Sequence, residues 1–184
     1  FTYQYAHAWI DFRDITDNQS VDWWQNTQNA IQTQIQYCLK NASGHMAYKS
    51  GLWGITSCYV PDQYVMHHGN SPCGVPNPIE DGTIAPSGVA GSLPFVPKQA
   101  VKVLKQIAQD YPRSWGRYGF KSSFNLDQNW YASRYYGLDQ GLTLLMIDNH
   151  LNQTIWNLIK QNKFIYQALE KSKFQGLNKW KNQK

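Results

Sequence analysis

Carboxyl groups are the side chains of this sequence that are best suited to chemistry. The chain lacks the GxGxxG, P-loop, GxSxG and HExxH motifs that mark nucleotide sites, serine hydrolases and zinc proteases. Cleavage of a glycosidic bond needs only two carboxyl groups, one acting as an acid and the other as a base or nucleophile. The 184-residue chain contains 12 Asp and Glu residues, so this chemistry is open to it.

Asp139 is the best-placed carboxylate. It closely follows Gly137, at the start of a segment containing GLTLLMI that is typical of a buried helix. Amide groups at a helix N-terminus favour the ionised form of a carboxylate, which suits a base better than an acid, although a simple helix cap would give the same pattern. Asp148 follows nine residues later, and steps of about 100° per residue place it on the opposite face, so we do not expect a pair on this helix.

Two further acidic candidates lie in loops. Asp62 occurs in VPDQY, and Asp81 follows Glu80 in IEDGTIAP. Either residue could line a cleft, but Asp next to Pro or Gly is also ordinary turn chemistry. The residues alone leave both interpretations open.

The chain is rich in aromatic side chains, with 8 Trp and 12 Tyr. Their rings offer apolar faces to sugar rings and polar tips to hydroxyl groups. Many of them fall in two loop segments, at 41–97 and 112–136, where we expect some to face a ligand and others to pack in the core. The candidates for binding a glycan are Trp53, Tyr59, Tyr64, Trp115, Tyr118, Trp130 and Tyr135.

The cysteines and histidines predict no metal site. Cys38, Cys58 and Cys73 form no CxxC pair and match no zinc spacing. Cys58 and Cys73 flank a loop and could form a disulfide or remain two thiols. His67 and His68 are adjacent, and in an extended loop they would point in opposite directions. We therefore expect no metal site.

The positive charge is confined to one end of the chain. The formal net charge is +5, from 17 basic and 12 acidic residues. Residues 160–184 contain seven Lys and one Glu, whereas residues 1–159 contain ten basic and eleven acidic residues. A basic tail without a recognisable nucleic-acid module is a weak signal, so we expect a solvated tail at 173–184 and no nucleic-acid partner. No apolar run reaches about 18 residues, so we expect no membrane span.

Length and hydrophobic pattern predict one helical domain. Apolar residues recur at helical spacing in several segments, and Ser20 and Pro97 are typical of helix starts. No convincing hairpin or βαβ unit is visible. We therefore expect an all-α fold in which long aromatic loops separate the helices. The predicted helices span 21–41, 87–93, 97–111, 139–150, 154–161 and 164–172.

Several blocks of the sequence resemble one family. In chain order they are YQYAHAWIDFRD, NAIQTQIQYCL, GLWGITSCYVPDQY, EDGTIAPSGVAGSLPFVPKQAVKVL, WGRYGFKSSFN and YYGLDQGLTLLMIDNHLNQTIW. They are similar to blocks of the glucoamylase-like domain that occurs in bacterial β-1,2-glucan hydrolases and in cyclic β-1,2-glucan synthases. The resemblance covers residues 1–171, and it is specific because several long blocks occur in the family's order.

The resemblance implies a fold and an activity. The fold would be an (α/α)6 toroid with a glycan cleft at one end of its helices, and residues 1–172 would form its C-terminal half. The activity would be inverting hydrolysis of a β-1,2-linked glucan or a related bacterial glycan, without a metal or organic cofactor. Because a full toroid needs a longer chain, we expect the N-terminal half of the same domain to be a partner and to carry the general acid. The chain starts at Phe1 without an initiator Met, so we expect a processed product or a fragment.

The resemblance also implies roles for individual residues. Asp139 matches the family's Asp-Gln-Gly block and would be the catalytic base, with Gln140 beside it in contact with substrate. Asp62 and Asp81 match acidic positions that line the cleft. The implied partner is an oligo- or polysaccharide, and the implied location is periplasmic or extracellular.

The chain departs from the family's pattern at a few positions. Leu142 stands where Pro is usual, Ser122 and Ser123 stand where Asp-Ala is usual, and residues 148–150 read Asp-Asn-His where Glu-Asn-Tyr is usual. Two alternatives to a hydrolase therefore stay open. One is a glycan-binding remnant without catalysis, and the other is a helical interaction domain whose Trp-rich face pairs with another polypeptide.

Overall fold

The computed structural model of the chain describes residues 3–69 and 77–181. The structure is helix-rich, with 47% of the residues in helices, and it also contains small two-stranded sheets. Short 3-10 helices occur at Ala6–Ala8 and Pro112–Ser114. The α-helices of the described residues are α1 (Trp23–Lys40), α2 (Met46–Lys49), α3 (Pro86–Ala90), α4 (Pro97–Asp110), α5 (Gly137–Leu151), α6 (Thr154–Lys160), α7 (Lys163–Lys171) and α8 (Asn178–Lys181).

Helix α1 is confirmed, but its cap differs from the prediction. The helix starts at Trp23, and the carboxylate of Asp22 accepts a hydrogen bond from the backbone N–H of Gln25 at 2.8 Å. Ser20 lies outside the helix with φ at 62°. Asp and Ser are both good N-cap residues, and here Asp22 reaches the free amide of the first turn. The buried stripe of α1 is Thr27, Ile31, Ile35 and Cys38.

The bounds of helix α4 follow the prediction closely, but Val101, which the helical spacing placed on the buried stripe, is 37% exposed. Pro97 occupies its first turn, where a missing N–H costs nothing, and Ala100, Val103 and Ile107 form its buried stripe. The helix ends at Asp110, shortly before Pro112. Pro predicts both boundaries because it tolerates a helix start and opposes a helix interior.

Helix α5 lies where it was predicted, but it is not buried on nearly every face. Leu142 and Met146 are buried in the core, whereas Leu144 and Leu151 are each 69% exposed. Steps of about 100° per residue put the two pairs on opposite sides of the helix. The apolar sequence of α5 therefore gives the described structure an uncovered apolar face.

Three antiparallel ribbons correct the all-α prediction. Strand β1 (Cys58–Val60) pairs with β2 (Gln63–Val65), β3 (Trp115–Gly116) with β4 (Gly119–Phe120), and β5 (Phe124–Asn125) with β6 (Trp130–Tyr131). Strands of two or three residues are too short to show alternation in a sequence. They form because buried loop backbone must pair its N–H and C=O groups.

The hydrophobic core lies between α1, α3, α4 and α5. Trp53, which was predicted to contact a glycan, lies inside this core and is 4% exposed, next to Tyr48 at 1%. A second, smaller cluster joins the N-terminal segment to α7 and α8. Its buried members are Phe12, Ile15, Leu169, Leu177 and Trp180.

The segment after residue 172 is packed as far as Trp180, which differs from the expected solvated tail. Thr16 and Gln175 exchange backbone hydrogen bonds of 3.3 and 2.8 Å. Leu177 and Trp180 are 7% and 5% exposed. Leu177 and Trp180 are buried members of the second cluster, and the partly buried Phe174 packs against it. Residues 182–184 lie outside the described part.

Asp11 links the second cluster to α6. Its buried carboxylate accepts two hydrogen bonds of 2.7 Å from the Arg13 guanidinium and one of 2.6 Å from Lys160. The guanidinium carbon also lies 4.6 Å from the centre of the Trp156 ring. Burial alone would raise the pKa of Asp11, but the two cations hold it below its usual value.

The remaining predictions concern cysteines and membranes. Cys38 and Cys58 are buried. Cys73, and with it the predicted alternative of a disulfide to Cys58, lies outside the described residues. None of the helices that the structure describes combines the length and the apolar character needed to cross a bilayer.

Candidate active site

Asp139 is a buried carboxylate in the first turn of α5, 1% exposed. The Ser122 hydroxyl donates a hydrogen bond to its Oδ2 at 2.7 Å, and the Tyr64 hydroxyl lies 3.4 Å from its Oδ1. Burial raises the pKa of Asp139 from 3.8 to about 6, and the two hydroxyls offset part of that rise. A carboxyl group with this pKa is mostly ionised at pH 7 and is poised to accept a proton.

Aromatic rings from three elements lie beside this carboxylate. Tyr59 and Tyr64 are directly opposite each other in the β1–β2 ribbon. The Tyr136 ring lies 5.8 Å from Tyr59 and 4.8 Å from Tyr64, and the Trp130 ring of β6 lies 6.1 Å from Tyr59. The structure thus brings three predicted aromatics together: Tyr64 lies next to Asp139, and Tyr59 and Trp130 belong to the same row of ring contacts. Tyr136 was missed, although the doublet before Gly137 was visible in the sequence.

Trp115, Tyr118 and Tyr135 form a second aromatic group. Trp115 is 51% exposed and packs edge-on against Phe120, with ring centres 4.6 Å apart. Tyr118 is 62% exposed and packs edge-on against Tyr135 at 5.4 Å. Trp115 and Tyr118 are therefore exposed and packed against neighbouring rings, as a surface that stacks on a sugar requires, whereas Tyr135 is half-buried.

Gln140 ties this second group to α5. Its side-chain amide donates to the backbone carbonyl of Phe120 at 2.6 Å. The side chain predicted to contact substrate is thus engaged in holding the β3–β4 ribbon against the start of α5. Asp139 and the exposed rings are in this way fixed to the same helix end.

Asp62 and Asp81 occupy different environments. Asp62 is exposed at the tip of the β1–β2 ribbon, with φ at 71°. Asp81 accepts from the Thr83 backbone N–H at 3.0 Å and lies 3.2 Å from His68 Nε2. Burial alone would raise the pKa of Asp81, but His68 and Thr83 lower it to about 2. Asp81 is therefore a firmly ionised group, whereas Asp139 can exchange its proton near neutral pH.

The charges of Asp81 and Asp139 both raise the pKa of one buried thiol, that of Cys58. Burial is the largest cause that raises the pKa of Cys58 to about 12, and both carboxylates add to it. Cys58 belongs to β1, so the two acidic side chains lie on the same part of the fold.

A second polar group escaped the sequence analysis. Glu80 accepts hydrogen bonds from the hydroxyls of Tyr48 at 2.5 Å and Tyr37 at 3.1 Å. His45 lies 3.4 Å from Glu80 and 2.7 Å from Asp127. These residues come from four separate segments, so no local motif could have revealed the group. Within the part of the chain that the structure describes, no three His, Cys, Asp or Glu side chains are grouped to hold a metal ion.

Comparison with known families shows which family the chain belongs to. Residues 1–163 match the glycoamylase family, which is described as "Putative glucoamylase". The chain belongs to the glycoamylase family. This result confirms the resemblance that the sequence blocks indicated.

Three of the similar proteins are β-1,2-glucan hydrolases by name. Over 173 residues the chain is 28% identical to the exo β-1,2-glucooligosaccharide sophorohydrolase (non-reducing end) of Parabacteroides distasonis. It is 25% identical to the endo-β-1,2-glucanase of Chitinophaga pinensis, solved with sophorotriose and glucose, with a TM-score of 0.84. It is 27% identical to the β-1,2-glucanase of P. distasonis, with a TM-score of 0.82.

The glycoamylase chain described here is shorter than these relatives. The matches cover 93% of this chain but 23% of the sophorohydrolase, and 94% of this chain but 40% of the Chitinophaga enzyme. For the P. distasonis glucanase the shares are 94% and 24%. The chain thus spans between 23% and 40% of the length of these relatives.

Proposed function

We propose that this chain forms part of the catalytic domain of a glycoside hydrolase that cleaves a β-glucan, most specifically one with β-1,2 linkages. One observation carries the proposal: a buried carboxylate with a raised pKa, Asp139, lies beside a group of aromatic rings at one end of α5. A base and a ring-binding surface are the two parts that glycoside hydrolysis needs from this region. The names of the glycoamylase relatives supply the substrate class.

The proposed reaction is inverting. Asp139 removes a proton from a water molecule, the water oxygen attacks the anomeric carbon, and the glycosidic bond breaks as a second carboxyl group protonates the leaving oxygen. The two carboxyl groups of an inverting enzyme stand about 6.5–9.5 Å apart, which leaves room for that water. We place the second carboxyl group, the general acid, in the N-terminal half of the same domain.

The proposed architecture is an (α/α)6 toroid, of which this chain forms the C-terminal portion. Its support is the uncovered apolar face on the last helices. Leu144 and Leu151 of α5, Leu158 of α6 and Phe164 of α7 are between 62% and 69% exposed. Apolar side chains at this density are usually covered by another part of a protein. We propose that the N-terminal half covers them, and that the enzyme acts in the periplasm or outside the cell, where a glucan substrate of this class would be met.

Substitution of Asp139 by Asn tests the proposal. In the protein that carries this chain at its natural length, Asp139→Asn should lower turnover of linear β-1,2-glucan by about 10²–10⁴-fold, because the amide cannot accept the water proton. Binding of the glucan should persist. Asp110→Asn, at the exposed end of α4, is the matched control.

Two outcomes would decide against this function. Unchanged turnover in Asp139→Asn would remove Asp139 from the catalytic step. A wild-type protein that binds the glucan without releasing products would instead favour the non-catalytic glycan-binding domain.

A further inference from the structure

The Ser122 hydroxyl stands between the β1–β2 ribbon and Asp139. It accepts a hydrogen bond from the backbone N–H of Tyr59 at 3.1 Å and donates to Asp139 Oδ2 at 2.7 Å. Ser122 is 1% exposed, and its own backbone N–H donates to the Arg134 carbonyl at 3.2 Å. Side chain and backbone are therefore both fixed.

The direction of these hydrogen bonds follows from the groups involved. A backbone N–H can only donate, and an ionised carboxylate can only accept. The single hydroxyl hydrogen of Ser122 is thus committed to Asp139 Oδ2, while its lone pairs face Tyr59. A proton arriving on Oδ2 would meet that hydrogen and break the contact.

The other carboxylate oxygen is held less firmly. The Tyr64 hydroxyl lies 3.4 Å from Asp139 Oδ1 but closer, at 3.2 Å, to the Ser57 carbonyl, to which it also donates. One hydroxyl hydrogen cannot serve both acceptors fully. Oδ1 therefore keeps acceptor capacity that Oδ2 has already used.

We propose that Ser122 is a positioning residue, which stabilises the ionised form of Asp139 through Oδ2 and so makes Oδ1 the oxygen that receives the proton from water. The proposal rests on the proposed role of Asp139 as the base. Ser122 itself touches neither substrate nor water in this scheme, and it acts through the carboxylate alone.

Ser123 provides a matched control in the adjacent position. It is also 1% exposed, and its hydroxyl donates to the backbone carbonyl of Tyr59. The two serines therefore bind the N–H and the C=O of the same residue. Of the two, Ser122 is the one whose hydroxyl bonds Asp139, so Ser123→Ala removes an equivalent buried hydroxyl without touching the carboxylate.

The test is a titration of the Asp139 carboxyl carbon by ¹³C NMR in protein labelled at aspartate, which needs no turnover. Ser122→Ala should raise the midpoint by roughly one to two pH units, as expected for loss of a hydrogen bond to a charged group. Ser123→Ala should leave the midpoint within about 0.3 pH unit of wild type. Ser122→Thr keeps the hydroxyl, so its midpoint should equal that of wild type. Tyr64→Phe should give a smaller shift than Ser122→Ala.

The described side chains that face the Asp139 carboxyl group do not titrate in this range. Among the described residues, Tyr64 on β2 and Cys58 on β1 face the carboxyl group. Burial raises the pKa of Cys58 to about 12 and that of Tyr64 above its usual value, so both stay neutral from pH 4 to 8.

Several results would overturn the proposal. One is an equal titration midpoint of Asp139 in Ser122→Ala and Ser123→Ala. Another is a midpoint shift in Tyr64→Phe as large as that in Ser122→Ala, because Oδ1 would then be the firmly held oxygen. If Ser122→Ala does not fold, Ser122→Cys keeps a group of similar size with a weaker donor and should give an intermediate shift. The acidic limb of kcat/KM is recorded separately: a midpoint shift without a shift of that limb would reject Asp139 as the base while leaving its contact with Ser122 intact.

Discussion

The hydroxyl of Tyr64 lies 3.4 Å from Asp139 Oδ1, across 75 residues of sequence. Together with Ser122 it surrounds a buried carboxylate with hydroxyl groups, and in the described part of the chain no cation is paired with Asp139. Asp11, by contrast, is a buried carboxylate that is paired with two cations, Arg13 and Lys160. The pKa of Asp11 is held below its usual value, whereas that of Asp139 is raised to about 6.

Asp139→Asn is expected to stabilise the protein at high pH. The folded state raises the pKa of Asp139 from 3.8 to about 6, so the folded protein holds a proton that the unfolded chain loses. Wild-type stability therefore falls as the pH rises from about 4 to above 6, by up to about 3 kcal/mol in the free energy of unfolding. Urea unfolding should show the variant more stable at pH 8 and equal to wild type near pH 4. A less stable variant at pH 8 would show that the carboxylate is not under desolvation strain.

The rate of hydrolysis should fall on the acidic side of about pH 6. The base must be ionised to accept a proton, and its pKa is about 6. Values of kcat/KM should therefore drop tenfold per pH unit below that point. A limb centred near pH 4 would point to an ordinary, solvated carboxylate as the base.

Trp130→Ala should weaken glucan binding. The half-buried Trp130 ring stands 6.1 Å from Tyr59, in the aromatic group next to Asp139. Loss of one stacking ring at such a site costs about tenfold in affinity. Calorimetric titration with a β-1,2-linked glucooligosaccharide measures this, and Trp9→Ala is the control, since Trp9 is a 45% exposed tryptophan on the N-terminal segment. Equal affinities for wild type and Trp130→Ala would exclude this ring from the binding surface.

Asp11→Asn should destabilise the fold. The change leaves the partly buried Arg13 and the largely buried Lys160 without their common anion. Breaking a buried ion pair from one side costs about 3–5 kcal/mol, and the lower end fits here because Arg13 is partly exposed. Urea midpoints at pH 7 provide the measurement, with Asp110→Asn as the surface control. Equal midpoints for both variants would mean that the three-residue contact adds nothing to stability.

Gly82→Ala should destabilise more than Gly51→Ala. Both glycines have positive φ, at 80° and 78°, so both variants carry the cost of about 1 kcal/mol for a left-handed Ala. A methyl group on Gly82 would also stand 2.6 Å from His45 Nδ1 and 2.9 Å from Asp127 Oδ2, whereas one on Gly51 meets nothing within 4 Å. We expect the free energy of unfolding of Gly82→Ala to be lower than that of Gly51→Ala by about 1–3 kcal/mol, measured by thermal unfolding. Similar melting temperatures would contradict the close packing at His45.

Much of the helical framework could be predicted from the sequence. The stripe of α4 and the prolines at its boundaries are local signals, and they gave both ends of that helix within a residue. The exposed face of α5 could not be predicted, because GLTLLMI is apolar on all sides and the sequence does not say which sides meet a neighbour. The ribbons were missed because their strands are too short to show a period.

The candidate site was predicted only in part. Asp139 stood out because it combines an acidic side chain with a helix start. Its hydroxyl neighbours, Ser122 and Tyr64, are set by the way two loops meet, which is a long-range property. Aromatic type alone could not separate Trp53, which fills the core, from Trp130, which packs against Tyr59, because both residues occur in long aromatic segments without helical spacing.

Thr16 and Gln175 pair across nearly the whole length of the chain, whereas each ribbon closes over a few residues. A contact that closes a long loop costs more chain entropy than one that closes a short loop, so we expect it to form late in folding. The small cluster around them is expected to assemble after the main core and to open before it under stress. A protease that cuts between α7 and α8 would therefore meet its target long before the rest of the molecule unfolds.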